Sequence, residues 1–206
     1  MKRILLTFMV LVAGLSVIAP DINAQGKSRA STRQERMEQW HKDMAAFRAR
    51  TEQTHELHQL ADSIAGVQAT AAIRNQDFVL EVDQVTFKSG MTTFVNTNTN
   101  FVSVKGKRAV VQISPSNFAS GPNGVGGVTV QGMITNPEMR TDSRGRLTYS
   151  FNVMGIGVNA QVEIYMFPGT NSATATIYPN FNSNTIWLEG NIVPYENSDV
   201  IEGATL

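Results

Sequence analysis

The chain has 206 residues, with 17 basic side chains, 17 acidic side chains, three histidines and no cysteine. The balanced charge argues against a nucleic-acid partner, because binding a phosphate backbone requires a basic surface. The lack of cysteine excludes disulfides, thiolate metal sites and thiol nucleophiles.

The first 24 residues have the pattern of a secretory signal peptide. Lys2 and Arg3 precede an apolar run over residues 4–18, and a polar stretch follows Ala24. The apolar run has about 15 residues, fewer than the roughly 20 that a membrane-spanning helix needs. We therefore expect export, cleavage after Ala24, and no membrane span in the mature chain.

Residues 25–75 predict a polar leader, expected to be mobile, followed by an amphipathic helix. Residues 32–35, Thr-Arg-Gln-Glu, form a capping box that predicts a helix start at Thr32. Apolar side chains then repeat at helical spacing in two runs separated by a phase slip. The first run is Met37, Trp40, Met44 and Phe47, and the second is Leu57, Leu60, Ile64 and Val67.

The length of this helix limits how it can pack. An unbroken helix over residues 32–75 would be about 66 Å long, whereas a compact domain of the remaining residues would be about 36 Å across. The helix therefore breaks, for instance near Gly66, or projects in part, or is partly disordered. Its apolar stripe fits either packing on its own domain or docking on a partner.

Residues 76–206 predict an antiparallel β domain of eight or nine strands. Apolar and polar residues alternate, and short turns at residues 105–107, 142–145 and 168–171 join the strands. A change of phase after Val82 predicts a β-bulge at Asp83 and Gln84, and the last strand is expected at Val200. The predicted fold class is mainly β: an antiparallel β-sandwich or a partly open barrel, with the N-terminal amphipathic helical segment covering an open end or face.

Several separated motifs occur in order along this β region. They are residues 77–81 (DFVLE), 98–102 (NTNFV), 109–113 (AVVQI), 124–130 (GVGGVTV), 151–155 (FNVMG), 179–184 (PNFNSN) and 193–195 (VPY). Together they resemble domain-of-unknown-function family 4251, over about residues 73–203. Members of that family are exported proteins of gut-type Gram-negative anaerobes, so the resemblance implies a periplasmic or extracellular location. It carries over no activity, cofactor or catalytic residue.

Three common kinds of functional site have weak support. His55 and His58 lie one helical turn apart, but they lack the spacing of a zincin motif. The glycine-rich residues 121–127 lack the Lys-Ser/Thr of a P-loop and precede a strand, not a helix. We therefore expect no metal site and no cofactor. Outward carboxylates could still include the acid pair of a hydrolase, among Glu81, Asp83, Glu163 and Glu189.

Polar and aromatic side chains at outward positions are better candidates for ligand contacts. Asn96, Asn98 and Asn100 alternate with threonine and would point to one side of an extended chain. Amides suit sugar hydroxyls because they both donate and accept hydrogen bonds. A second triplet and three outward rings fit the same use: Asn180, Asn182, Asn184, Tyr165, Phe167 and Trp187. The alternative is that the asparagines close local turns and that the helix covers the rings.

The sequence thus predicts an exported, non-catalytic module that binds a glycan or another small molecule. The predicted ligand contacts are Asn96, Asn98, Asn100, Tyr165 and Trp187. An alternative is a structural protein that docks an envelope protein or a second copy through Met37, Trp40, Met44 and Phe47. A hydrolase with a carboxylate pair is the third hypothesis.

Overall fold

The computed structural model describes residues 25–114, 127–155, 159–180 and 185–203, with side chains from Thr32 onward. The predicted signal peptide lies outside the described residues. Within them, the chain divides into two compact units between Thr54 and His55. The first element is helix α1, Gln25–Arg74.

Helix α1 is longer and more regular than the sequence indicated. It begins at Gln25, so the predicted polar leader is helical and the capping box at Thr32 does not mark the start. No proline occurs in residues 25–31 to interrupt the hydrogen-bonded ladder. Gly66 does not break the helix either. A Cβ at Gly66 would lie 2.9 Å from the backbone N and O of Thr170, so glycine lets the helix approach that turn closely.

Nine strands follow within the described residues, and every neighbouring pair is antiparallel. They are β1 Asp77–Phe87, β2 Thr92–Phe94, β3 Phe101–Lys105, β4 Arg108–Ile113, β5 Val128–Thr141, β6 Leu147–Gly155, β7 Asn159–Met166, β8 Ser172–Pro179 and β9 Ile186–Pro194. Strand β1 pairs with both β3 and β9, which closes eight strands into a barrel. The extra strand, β2, pairs with β1 beyond the residues that β3 covers. The mainly β prediction is confirmed, in the form of a barrel and not a sandwich.

Two details of the predicted strands have different outcomes. The register of β1 against β9 shifts between Val82 and Gln84, which confirms the predicted bulge. The expected strand at Val200 is wrong: that residue follows a short 3-10 helix, Tyr195–Asn197, and the ninth strand is β2 instead. Val200 packs against an apolar cluster instead of pairing in the sheet.

The barrel interior is filled by the alternate, inward-facing apolar side chains of its strands. The largest are Tyr149, Phe78, Phe151, Leu80, Ile164, Leu188 and Ile192. The end of α1 contributes Ala69, Ala72 and Ile73 to the same core. Gln76 Nε2 donates to the Tyr149 hydroxyl at 3.2 Å. Burial raises the pKa of that phenol, and the hydrogen bond from Gln76 partly opposes the shift.

A second, smaller apolar cluster lies on the outside of the barrel. Val79, Phe101 and Val110 are buried there, with Tyr195 and Val200 packed against them. Residues 195–203, which we term the strap, therefore cover the outer face of β1, β3 and β4. A buried amide fixes the far end of the strap. Gln112 donates to Ile201 O at 2.9 Å and accepts from the backbone N of Gly203 at 2.8 Å.

We predict that Ile73→Ala lowers the free energy of unfolding by about 2–4 kcal/mol, because it opens a cavity where the helix end enters the barrel core. Ile64→Ala is the matched control: Ile73 is 0% exposed and Ile64, in the same helix, is 60% exposed. The control should change stability by less than about 0.5 kcal/mol. Urea unfolding of both variants measures the difference, and equal effects would contradict the role given to the helix end.

Candidate functional site

A polar cavity of about 370 Å³ lies on the outer face of β5, β6 and β7. Its lining is Glu138, Arg140, Thr148, Ser150, Gln161, Glu163 and Tyr165. Six of these side chains offer charged groups, amides or hydroxyls, and the seventh adds an aromatic ring. Such a surface can exchange several hydrogen bonds with a polyhydroxylated ligand.

A bulge in β5 brings the first two lining residues to this face. The register of β5 against β6 shifts between Thr135 and Glu138. Asn136 has a φ of 50°, and Pro137 has no N–H to donate to the ladder, so the pair occupies the bulge. Because the bulge adds a residue, the outward positions of β5 change from odd to even numbers. Glu138 and Arg140 therefore face the cavity.

Two rows of outward side chains cross the sheet at the cavity. One row is Glu138, Ser150, Glu163, Thr176 and Trp187, and the next is Arg140, Thr148, Tyr165, Thr174 and Glu189. Neighbouring strands are about 4.8 Å apart, so Trp187 lies about 10 Å from Glu163 along its row. Cavity and tryptophan thus share one continuous surface, which we term the β5–β9 face.

Two charged groups in the cavity are bound to each other. Arg140 donates to Glu138 Oε1 through Nε at 3.0 Å and through Nη2 at 2.6 Å. These two hydrogen bonds fix the carboxylate and the guanidinium relative to each other, which suits the orientation of a ligand.

Tyr165 has an unusual ionisation for an outward tyrosine. Burial raises the pKa of its phenol, and a hydrogen bond with Glu163 and the negative charge of that carboxylate raise it further, to about 12. At neutral pH the phenol is therefore uncharged and able to donate a hydrogen bond.

The structure places the two predicted aromatic contacts on this face and the predicted asparagines elsewhere. Tyr165 lines the cavity, and Trp187 is 40% exposed beside it. Asn96, Asn98 and Asn100 occupy a turn before β3, not an extended strand.

The asparagine turn is closed by its own side chains. Asn96 Oδ1 accepts from the backbone N of Asn98 at 2.9 Å. Asn100 is completely buried: its amide donates to Asn96 O and Ser114 O, and its Oδ1 accepts from the backbone N of Ser114 at 2.7 Å. The arrangement follows the turn chemistry that the sequence left open, because a buried amide needs several fixed partners.

The other candidates are placed as follows. Met37, Trp40 and Phe47 are 52–64% exposed on α1, and Met44 is partly exposed.

Among the described residues no group of three metal-ligating side chains occurs, and His55 and His58 are exposed. Residues 121–126, Asn182 and Asn184 lie outside the described residues. In the same described part of the chain, no helix combines the length and apolarity needed to cross a membrane.

The candidate carboxylates are dispersed. Glu81 accepts from Ser198 Oγ at 2.6 Å and helps to hold the strap. Asp83 is exposed at the bulge of β1, and Glu189 lies on β9. Glu163 lines the cavity together with Glu138, a residue that the sequence did not single out.

The sequence did not single out the lining residues Glu138, Arg140, Thr148, Ser150 and Gln161, nor Tyr178, a 42%-exposed ring directly opposite Gln161 on β8. The sequence held one signal, the Asn136-Pro137 pair shortly before the predicted turn at residues 142–145. Proline in a strand indicates a bulge, and bulges often re-aim side chains at functional sites.

The fold and the site define a class: an eight-stranded antiparallel barrel, filled by its own side chains, with its candidate site on the outer wall. The model of the family described as domain of unknown function (DUF4251) matches residues 62–192. The chain therefore belongs to the DUF4251 family, as its sequence motifs suggested.

A solved structure supports the assignment. The chain is similar to the crystal structure of a DUF4251 family protein from Bacteroides eggerthii, with 46% sequence identity and a TM-score of 0.61. The match covers 68% of this chain and 95% of the other. No curated protein matches the chain.

We predict that Glu163→Gln lowers the pKa of Tyr165 toward its ordinary value, because the variant removes the nearby negative charge. Because the folded-state pKa of the Tyr165 phenol is raised, the stabilisation that the protonated phenol provides is fully present below the unfolded-state pKa of about 10. It is lost as the pH rises through about 12. Absorbance titration of tyrosinate, as the difference between each protein and its Tyr165→Phe counterpart, isolates this group. An unchanged midpoint in Glu163→Gln would contradict the assignment.

Proposed function

We propose that this protein is an exported, non-catalytic module that binds a sugar-like ligand on its β5–β9 face at the cell envelope. The observation that carries the proposal is the cavity itself, whose lining is six polar side chains and one tyrosine ring. Export is supported by the signal-peptide pattern of residues 1–24. A sugar presents both hydroxyl groups and apolar ring faces, and this lining offers partners for both kinds of group.

Three features favour binding over hydrolysis. Glu138 Oε1 accepts two hydrogen bonds from the Arg140 guanidinium, so this carboxylate is engaged with a cation and not with a second acid. No histidine lies in residues 76–206 to serve as a base. The cavity also lies on the same outward face as Trp187, and aromatic side chains beside polar groups are typical of recognition surfaces.

The binding test uses Trp187 as the reporter. The chain has two tryptophans, so Trp40→Phe leaves Trp187 as the single emitter. The chain that carries this variant begins at Gln25. It is titrated with glucose, N-acetylglucosamine, glucosamine and the β-1,4-linked disaccharides of these sugars. We expect a saturable change in emission with at least one of these sugars, and at least tenfold weaker binding in Tyr165→Ala, which removes the ring of the cavity.

Phe94→Ala is the matched control, since Phe94 is a 78%-exposed ring on β2 outside the cavity. Its affinity should stay within twofold of the parent. A response to none of the sugars, or equal losses in the control and in Tyr165→Ala, would contradict the proposal.

Self-association through α1 is a second candidate function, favoured by the exposed apolar run Met37, Trp40, Met44 and Phe47. Large exposed apolar groups in a row commonly mark a contact surface. Charge favours a second copy as the partner. Residues 32–50 hold five basic and three acidic side chains, whereas residues 51–73 hold three acidic and no basic ones. Two α1 helices in antiparallel contact would therefore bring opposite charges together.

For this second function we expect light scattering on the chain from Gln25 to give a concentration-dependent dimer mass. The double variant Trp40→Ser/Phe47→Ser should be monomeric, because it removes the two aromatic side chains of the run. Met91→Ser/Phe94→Ser removes two other exposed apolar side chains and should leave the dimer intact. A monomer at all concentrations, or a dimer that survives in the first variant, would exclude this role. Both variants leave the buried residues Ala69, Ala72 and Ile73 in place.

A further inference from the structure

The strands around the cavity have an uncompensated negative charge. Arg140 is the one basic residue in β5 to β9, and it is bound to Glu138. The same strands hold two further carboxylates, Glu163 and Glu189. Arg146, in the turn after β5, pairs with Asp142 at 3.3 Å. Glu163 therefore has no basic side chain on its own strand, β7, or on either neighbouring strand, β6 or β8. A ligand on this face meets it as a negative group.

Aromatic side chains surround this carboxylate. Tyr165 lies two residues from Glu163 on β7. Tyr178 lies two residues from Thr176 on β8, and Trp187 lies directly opposite Thr176 on β9. Thr176 is directly opposite Glu163 and faces outward, yet it is only 8% exposed. Neighbouring side chains must therefore cover Thr176. Tyr178 also lies close enough to Tyr165 to raise the pKa of the Tyr165 phenol.

The combination of a carboxylate and several ring faces selects the charge of a ligand. Ring faces carry negative electrostatic potential and therefore attract cations such as an ammonium group, most strongly at tryptophan and tyrosine. An anionic ligand would instead be repelled by Glu163 and Glu189. A neutral sugar could use the hydroxyls and amide of the cavity but would leave the charge of Glu163 unmatched.

We propose that the β5–β9 face recognises a protonated amine, as in an amino sugar, with Glu163 as the counter-charge and Tyr165, Tyr178 and Trp187 as the ring surface. This inference rests on the proposed function and specifies its ligand class. Glu138 and Arg140 would orient the hydroxyl groups at the opposite end of the cavity. No covalent step is involved.

Isothermal titration with three monosaccharides tests the inference, because they differ at one ring position. Glucosamine has a free amine there, N-acetylglucosamine a neutral amide and glucose a hydroxyl. At pH 6, where the amine is protonated, we expect glucosamine to bind at least tenfold tighter than either neutral sugar. Glu163→Gln should abolish this preference, because its neutral amide offers no charge to pair with the ammonium group.

Glu196→Gln is the matched control, since it removes an exposed carboxylate from the 3-10 helix outside this face, and it should retain the preference. Equal affinities for the three sugars, or a preference that survives in Glu163→Gln, would overturn the inference and leave the proposed function in place. If no sugar binds, ethanolamine, a protonated amine without a sugar ring, is titrated against Trp187 fluorescence. Binding that Glu163→Gln abolishes would support amine recognition and refute the sugar ligand, whereas no response would overturn both.

Discussion

The closure of the sheet is the constraint on which the rest of this structure depends. Strand β1 pairs on one edge with β3 and on the other with β9, and eight strands enclose an interior just wide enough for side chains. That interior is packed with aromatic and aliphatic groups, and the end of α1 adds to them. The polar cavity described above lies instead on the outer wall and is built from outward side chains.

The outer wall serves different purposes on its two sides. Around β1, β3 and β4 it is apolar and covered by the strap, so that side extends the hydrophobic core. Around β5 to β9 it is polar and aromatic, and no described segment of the chain covers the cavity there. One wall thus adds to the buried apolar core, whereas the other exposes polar and aromatic side chains. The uneven distribution of charge, with one basic residue in five strands, belongs to the second wall.

Strand alternation, turn residues and the bulge at Asp83 could be read from the sequence, because each depends on neighbours in the chain. The choice between barrel and sandwich could not, since it depends on the pairing of β1 with β9, more than 90 residues apart. The strand expected at Val200 does not form, because that residue belongs to the strap. The strap packs its apolar side chains on the outer cluster without a hydrogen-bonded ladder. The length of α1 also differed, because a local capping motif does not end a helix when the preceding residues can continue it.

Only part of the candidate site could be predicted from the sequence, for a related reason. Tyr165 and Trp187 stood out as large rings at outward positions, and both lie on the β5–β9 face. The asparagine triplets looked equivalent in the sequence, yet Asn100 is buried in a turn by partners as distant as Ser114. Glu138 and Arg140 became visible only through the bulge at Pro137, which reverses their side of the strand. Spacing along one strand reveals periodicity, but which strands lie side by side is a property of the whole barrel.

The buried amide of Gln112 determines how the strap is aligned on the barrel. Its two N–H groups donate to Thr99 O and Ile201 O, and its oxygen accepts from Thr129 Oγ1 and from the backbone N of Gly203. All four hydrogen-bonding positions are therefore used, and the side chain is fully buried. If the strap slid by one residue, a carbonyl would replace an N–H, or the reverse, and the amide would lose partners that water cannot replace. Gln112 thus stabilises one alignment of the strap and disfavours alignments that are shifted along the chain.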